Sequence, residues 1–478
     1  MTEQIYIDGA WRQPTTGETI PVYCPSDGRE FARIGRGNAA DVDAAVAAAR
    51  RAFQGTWGHT PAVERGRLMV RLGEKIAQHA EELAQSEARD CGKPLAQARA
   101  DMVATARYFE FYGAAADKLH GDVIPFLEGY TVLVTREPRG VTGHIIPWNY
   151  PAQMFGRSLG PALACGNATV LKPAEEACLT VLRLTQLAHE VGFPAGVINV
   201  VTGNGEEAGA ALSNHPDLDF ISFTGSPEVG TLIQKASAEY HRPCVLELGG
   251  KSPQIIFDDA DFDAAVPSVV NAIVQNGGQT CSAGSRVLVQ RSVFDQFVTQ
   301  LAERFSKLRV GSAEMDLDCG PLISAGQRDR VLNFIKQAKA DGVPVLAEAT
   351  LASGVPTDGY YVPPVLFGPV QTTHMLACHE VFGPVLSVIP FEDEADAISI
   401  ANGTEFGLVA GVWSRDGSRM MRVARAMQCG QVFVNGYGAG GGIELPFGGV
   451  KRSGHGREKG FEAMREFSVA KTIVIKHG

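Results

Sequence analysis

Apolar residues recur every three to four positions through "ERGRLMVRLGEKIAQHAEELAQSEARDC", residues 64–91, and "NAADVDAAVAAARRAF", residues 38–53, opens on an asparagine before alanine-dense turns. That period, with a capping residue in front, predicts helices. Residues 38–118 therefore read as helix-rich, with a stop at "GKP" (92–94), and as surface helices that cover a sheet. The period changes in "TVLVTREPRGVTGHIIPWNYP" (131–151), where β-branched alternation predicts strand and the proline-bounded stretch 147–151 predicts a turn.

From 158 to 260 short apolar runs alternate with helical patterns. "NATVLKP", "GVINVVTG", "LDFISFTGS" and "CVLELGGKSPQIIF" are separated by helices predicted near 176–191, near 206–213 and from 227 onward. Strands alternating with helices imply βαβ units and a parallel sheet, a nucleotide-binding layout. A second alternating region follows residue 281, with strands in "SRVLVQ", "VPVLAEAT", "LSVIPFE" and "GQVFVNG" and a helix near 293–307. It needs its own sheet, and so its own domain. The final "REFSVAKTIVIKHG" reads as a lone strand with no partner nearby in sequence.

Composition narrows the class. At 478 residues the chain is too long for one hydrophobic core, and 45% hydrophobic with 20% charged residues is the profile of an ordinary α/β enzyme. A net charge of −10 without basic runs argues against nucleic acid as a partner. The start, "MTEQIYIDGAWRQP", has no basic-then-apolar leader, and no apolar stretch reaches the roughly 20 residues needed to span a bilayer. A cytoplasmic protein without membrane contact is the expectation. Nine cysteines without a C-x-x-C pair fit neither a disulfide framework nor a zinc knuckle, and "HMLACHE" (374–380) lacks a second ligand group at metal-binding spacing. No metal is expected.

Three residues could carry chemistry. Cys281 lies in "QNGGQTCSAGS", among small polar residues, whereas a structural cysteine sits among apolar ones; it is either an accessible nucleophile or a free thiol in a small-residue turn. Glu247 closes an apolar strand in "LELGGKSP" and is either a general base or a solvated strand end. Asn149, in "IIPWNYP", is an amide donor held between prolines or a turn residue. Together they are a nucleophile, a base and an oxyanion donor, the set acyl chemistry requires. For a cofactor, "VVTGNGEEAG" (Gly203, Gly205, Gly209) only approximates a dinucleotide fingerprint, and "ISFTGSPEVG" offers Gly225, Ser226 and a helix start that could hold an anion.

"PWNYP", "LKPAE", "FTGS", "LELGGKSP", "GGQTCSAGSR", "EVFGPV" and "PFGGVKRSGHGRE", in this order and running nearly end to end, resemble the aldehyde dehydrogenase superfamily. The resemblance implies an α/β fold with a Rossmann-like cofactor domain (1–118 and 140–246), a second α/β catalytic domain (247–467) whose C-terminal part returns to the cofactor domain, and a small β oligomerisation element (119–139 and 468–478). It implies NAD as cofactor, NADP being possible, a small-molecule aldehyde as substrate, and a homodimer or homotetramer. Cys281 looks like the nucleophile, Glu247 the base that activates water, Asn149 the oxyanion donor and Glu458 a proton-relay residue. Lys172 and Glu175 resemble the residues that hold the adenosine ribose, and Glu380 and Phe382 those that place the nicotinamide ribose and ring. Ile146, Pro147, Trp148, Gly205, Gly209, Phe223, Gly225, Ser226, Val229 and Leu248 complete the implied cofactor contacts.

Two departures from the family pattern stand out. Many relatives have a basic residue where this chain has Ser158, preceded by Arg157, which puts the usual proton exit in doubt. "NGYGAGGGIELPF" (435–447) lacks the aromatic residues that narrow the substrate tunnel in some relatives, so a wide mouth is expected. Met154 and Arg157 share a helix face and, with Thr280, are the candidate substrate residues. An arginine fork matches a carboxylate, which points to a semialdehyde acid or another polar aldehyde; the other reading is that Arg157 pairs with a protein acid or faces solvent. The alternatives in function are a coenzyme A-acylating member, against which Glu247 argues, and a catalytically silent structural or nucleotide-sensing member.

Overall fold

The computed structural model describes residues 4–438 and 442–477. Ala439, Gly440 and Gly441, inside the glycine-rich 435–447 stretch, lie outside the described residues.

Two sheets organise the chain. The first has strand order Ala10–Arg12, Ile5–Ile7, Ile198–Val200, Ala168–Pro173, Val141–Ile146, Phe220–Thr224, Cys244–Glu247 and Gly454–His455. Its five central strands are parallel; the edges are antiparallel, and Gly454–His455 pairs Glu247 with Gly454. The second sheet runs Val345–Glu348, Val365–Phe367, Val385–Phe391, Arg286–Gln290, Pro253–Ile256, Val409–Trp413 and Gln431–Val434, parallel except for its first strand. "CVLELGGKSPQIIF" is thus two strands in two different sheets, parted by the Leu248–Ser252 turn. Each sheet has its own buried apolar clusters.

Local chemistry explains the helices on the first sheet. Ala39–Gln54 starts on a capping box: the Asn38 side chain accepts from the Ala40 and Asp41 amides, and the Asp41 carboxylate accepts from the Asn38 amide. The period in residues 64–91 continues through a break at His79, so the stretch forms two helices, Ala62–Gln78 and Ala80–Cys91, the second closed by left-handed Gly92. Leu95–Ala115 follows "GKP". The helix expected near 176 begins at Leu179. Helix Pro151–Ala164 has every residue buried except Gln153, which makes it a central helix and not a covering one.

The C-terminal strand Ser468–Lys476 is not alone. It pairs along its whole length, antiparallel, with Tyr130–Pro138, and Asp122–Ile124 completes a three-stranded sheet. The preceding residues "REF" belong to a short helix, Gly460–Glu466, and its end.

Candidate active site

In the first sheet the strand order reverses between Val141–Ile146 and Phe220–Thr224, and ligands of open parallel sheets bind outside the carboxyl ends of strands at such a point. Three adjacent strands end there. Val141–Ile146 delivers Pro147, Trp148 and Asn149; Phe220–Thr224 delivers Gly225 and Ser226; Cys244–Glu247 ends on Glu247. They border a cavity of about 540 Å³ that also receives Cys281, Thr280, Met154, Arg157, Glu380 and Phe382.

The Cys281 segment reaches the cavity by a turn of unusual backbone. Asn276, Gly277 and Gly278 have φ of 50°, 62° and 73°, and a Cβ on Gly278 would lie 2.3 Å from the Gly383 carbonyl, so the glycines serve the turn and not mobility. Side chains then lace this segment to the Asn149 segment. Asn276 Nδ2 donates to the Asn149 carbonyl (2.8 Å), Asn149 Nδ2 donates to the Gln279 carbonyl (2.9 Å), and Gln279 Oε1 accepts from the Ile323 amide (2.9 Å). Thr280 Oγ1 lies 2.8 Å from the Tyr150 hydroxyl. One Asn149 N–H is committed to Gln279; an amide nitrogen carries two. The double glycine of "LELGGKSP" is a close approach: a Cβ on Gly249 would meet the Glu380 carboxylate at 2.2 Å, and one on Gly250 the Cys281 carbonyl at 2.5 Å.

Burial pushes the Cys281 thiol up to about 11; Arg157 opposes this, while Glu247 and Glu380 add to it. Glu247 is held well above the usual carboxylate range, by burial first and by Glu458 second, with Arg157 opposing. Among the described residues neither Glu247 oxygen accepts a hydrogen bond.

Arg157 departs from the expectation that its fork faces substrate. The residue is buried, its guanidinium is ion-paired to Glu458 and lies 3.7 Å from Glu247, and it stacks 4.3 Å from the Phe447 ring centroid. Two protein carboxylates claim the fork. Arg157 therefore supplies the cation beside Glu458, and Ser158 instead contacts His144 Nδ1 (2.6 Å) and Ser222 (3.4 Å), whose hydroxyl donates to Glu458 (3.3 Å). Glu458 itself is buried behind the cavity and does not line it.

The cofactor candidates divide. Trp148 and Phe382 meet edge to face at 5.5 Å, and burial pushes Glu380 up to about 7 although its Oε1 accepts from the Gly250 amide (2.8 Å). Lys172 Nζ lies 2.5 Å from Glu175 Oε2, and the Gly205 amide donates to Glu175 Oε1 (3.2 Å). Helix Pro227–Glu239 starts at Ser226, whose hydroxyl accepts from the Val229 amide, with Pro227 at its first position. Ile146, Lys172, Glu175, Gly205, Gly209, Phe223, Val229 and Leu248 lie outside the central cavity lining. Ile146, Phe223 and Leu248 are buried beneath it, and Val229 is exposed.

Several cavity residues escaped the sequence reading. Phe433, Tyr437 and Phe447 line the cavity, the first two with ring centroids 5.8 Å apart. Lys459 lines the cavity, and Asp101 joins it from helix Leu95–Ala115. Asp101 binds the fully buried Lys93 (2.6 Å), which also meets Glu87 (2.9 Å); Glu87 accepts from the Ala152 amide at the start of the Asn149-bearing helix. "LPFGG" and "GREK" were the available signals for Phe447 and Lys459. His374 caps a short helix and pairs with Asp341, and among the described residues no His, Cys, Asp or Glu group could hold a metal ion.

Comparison with known proteins shows the family. The aldehyde dehydrogenase family model matches residues 11–473. Human retinal dehydrogenase 2 is 40% identical over 478 residues, covering 99% of this chain and 92% of the relative. A provisionally assigned aldehyde dehydrogenase from Burkholderia cenocepacia is 60% identical with a TM-score of 0.99, covering 99% of this chain and 100% of its own. PnpE from Pseudomonas sp. WBC-3 is 41% identical with a TM-score of 0.97, covering 100% of this chain and 98% of its own, and is also known in complex with nicotinamide adenine dinucleotide. The chain belongs to the aldehyde dehydrogenase family, enzymes that oxidise aldehydes to carboxylic acids with a nicotinamide cofactor.

Proposed function

We propose that Cys281 attacks the aldehyde carbonyl, Asn149 and the Cys281 amide hold the resulting oxyanion, and Glu247 directs water onto the thioester that follows. The observation that carries this reading is the convergence of the Cys281 thiol, the Asn149 amide laced to its neighbour Gln279, and Glu247 in one cavity. Attack requires the thiol to lose its proton, and Glu247, which borders the same cavity, is the acceptor in this reading. Among the described residues neither Glu247 oxygen takes a hydrogen bond, which leaves both able to orient a water and favours hydrolysis over transfer of the acyl group to coenzyme A. The same complete set speaks against a silent member.

The residues fit a dinucleotide. NAD, when bound, supplies the acceptor for the aldehyde hydrogen as hydride. Glu175, oriented by Lys172 and the Gly205 amide, would accept from ribose hydroxyls; the start of helix Pro227–Glu239 would face the pyrophosphate. Glu380 and Phe382, with Pro147 and Trp148, would hold the nicotinamide end. A 2′-phosphate beside Glu175 would meet like charge, so NAD is preferred over NADP. In kcat/KM comparisons of the two cofactors, Glu175→Ser narrows the gap.

Nine free cysteines fit a reducing compartment, and a cytoplasmic location is proposed on that ground. The three-stranded sheet carries a homodimer or homotetramer in this reading. The decisive experiment on the chemistry pairs two variants. Cys281→Ala abolishes both aldehyde oxidation and hydrolysis of an activated ester while keeping NAD binding; Glu247→Gln permits at most a burst of NADH before a slow steady state. Near-normal turnover in Cys281→Ala would sink the assignment.

A further inference from the structure

Helix Pro151–Ala164 buries every residue but Gln153, and Gln153 lines the cavity that holds Cys281. Its side chain is nonetheless fixed. Gln153 Nε2 donates to Asp101 Oδ1 (2.7 Å), and Asp101 Oδ2 pairs with the fully buried Lys93 Nζ (2.6 Å). Lys93 also meets Glu87 (2.9 Å) and lies 4.5 Å from the Tyr150 ring centroid, and the Tyr150 hydroxyl contacts Thr280 beside the nucleophile. One buried ammonium thus braces two parts of the cavity wall. A hydrogen bond to an ionised acceptor is about twice as strong as a neutral one, so the Gln153 amide is held in one orientation before any ligand arrives.

That orientation has a chemical consequence. A carboxylate paired with an ammonium only accepts, so the NH2 end of the Gln153 amide takes the Asp101 side, and the carbonyl Oε1 is the end left for a ligand. A carbonyl recognises a donor. Around it, Gln97, Ala100, Asp101 and Ala104 come from one face of helix Leu95–Ala115, and the two alanines leave room for a substrate tail. Phe433 and Phe447 supply apolar surface for hydrocarbon elsewhere in the same cavity. An alkyl tail beside Gln153 leaves the carbonyl unpaired, and a carboxylate tail meets a second acceptor. A hydroxyl satisfies it, and a site built to bond a hydroxyl rejects the analogue without one.

Resting on the aldehyde oxidation proposed above, we propose that Gln153, held by Asp101, is a specificity-determining residue whose carbonyl accepts a hydrogen bond from a hydroxyl on the substrate tail, making hydroxyl-bearing aldehydes the preferred class. Arg157, from which an acidic tail was expected, is held by Glu458 and Glu247.

The test measures kcat/KM with NAD for meta- and para-(hydroxymethyl)benzaldehyde and for meta- and para-ethylbenzaldehyde, which match them in size, with propanal as reference, in wild type, Gln153→Met and Gln153→Leu. At the better-fitting ring position the hydroxymethyl-to-ethyl ratio is expected at about tenfold or more in wild type. In both variants it falls to one or below, through loss of the alcohol's rate while the ethyl compound keeps or gains its own, a pattern that general damage to the fold would not give. A wild-type ratio of one or below at both positions overturns the proposal without any variant, and an unchanged ratio in Gln153→Met overturns it even if alcohols are preferred. NADH from propanal but from none of the substituted benzaldehydes also overturns it and leaves the oxidation standing. Absence of NADH from every aldehyde, propanal included, refutes the oxidation itself.

Discussion

Cys281 is a thiol at neutral pH, and two neighbours move it in opposite directions: Arg157 lowers its pKa and Glu247 raises it. Removing each charge therefore shifts the thiol with opposite sign. In Glu247→Gln the pH profile of Cys281 alkylation moves to lower pH, and in Arg157→Met it moves to higher pH; iodoacetamide kinetics with Cys281→Ala as the blank check this. Shifts of the same sign in both variants contradict the assignment. The residue types were legible because glycine, asparagine and glutamate at fixed offsets mark a turn, a donor and a strand end. What Arg157 does was not legible: it lines the cavity, and only the fold brings Glu458, some three hundred positions on, to pair with its guanidinium.

At the scale of elements, helix Pro151–Ala164 and strand Val141–Ile146 are joined by a buried polar contact. His144 Nε2 lies 2.8 Å from the Thr142 hydroxyl and Nδ1 2.6 Å from Ser158, and its ring stacks on Phe467 at 5.5 Å. Burial holds His144 down to about 3. Unfolding returns it to an ordinary histidine that binds a proton below about pH 6.5. Between those values the unfolded state carries more protons, so stability rises with pH and is lost as pH falls from about 6.5 toward 3, by at most about 1.4 kcal/mol per pH unit for this one group. Denaturant unfolding at pH 7 and pH 5 should show a larger difference in wild type than in His144→Asn; equal differences would remove His144 from the account. Strand and helix types followed from periodicity, but breaks did not. His79 interrupts one amphipathic period without a proline or glycine, and burial of the 151–164 helix on nearly every face is a property of its neighbours.

At the scale of the whole molecule, the three-stranded sheet ends on an edge strand whose Val469, Ile473, Val474 and Ile475 are exposed, with Val123, Ile124, Phe126 and Leu127 exposed in and just after strand Asp122–Ile124. Exposed apolar edges invite pairing. Light scattering is expected to give a mass at least twice 50.9 kDa for the wild type and a smaller one for Val474→Lys. A monomeric wild type would contradict this. The sequence by itself determined the element types, the two alternating regions and the identity of Cys281, Glu247 and Asn149 as candidates, because side-chain periodicity, turn residues and functional-group chemistry are local. Tertiary structure decided that "CVLELGGKSPQIIF" serves two sheets, the antiparallel register in which residues 468–476 pair with 130–138, and that Glu458 meets Arg157. The last two are contacts between segments hundreds of residues apart, where the partner is chosen by the packing of the fold and leaves no mark on either segment's own pattern.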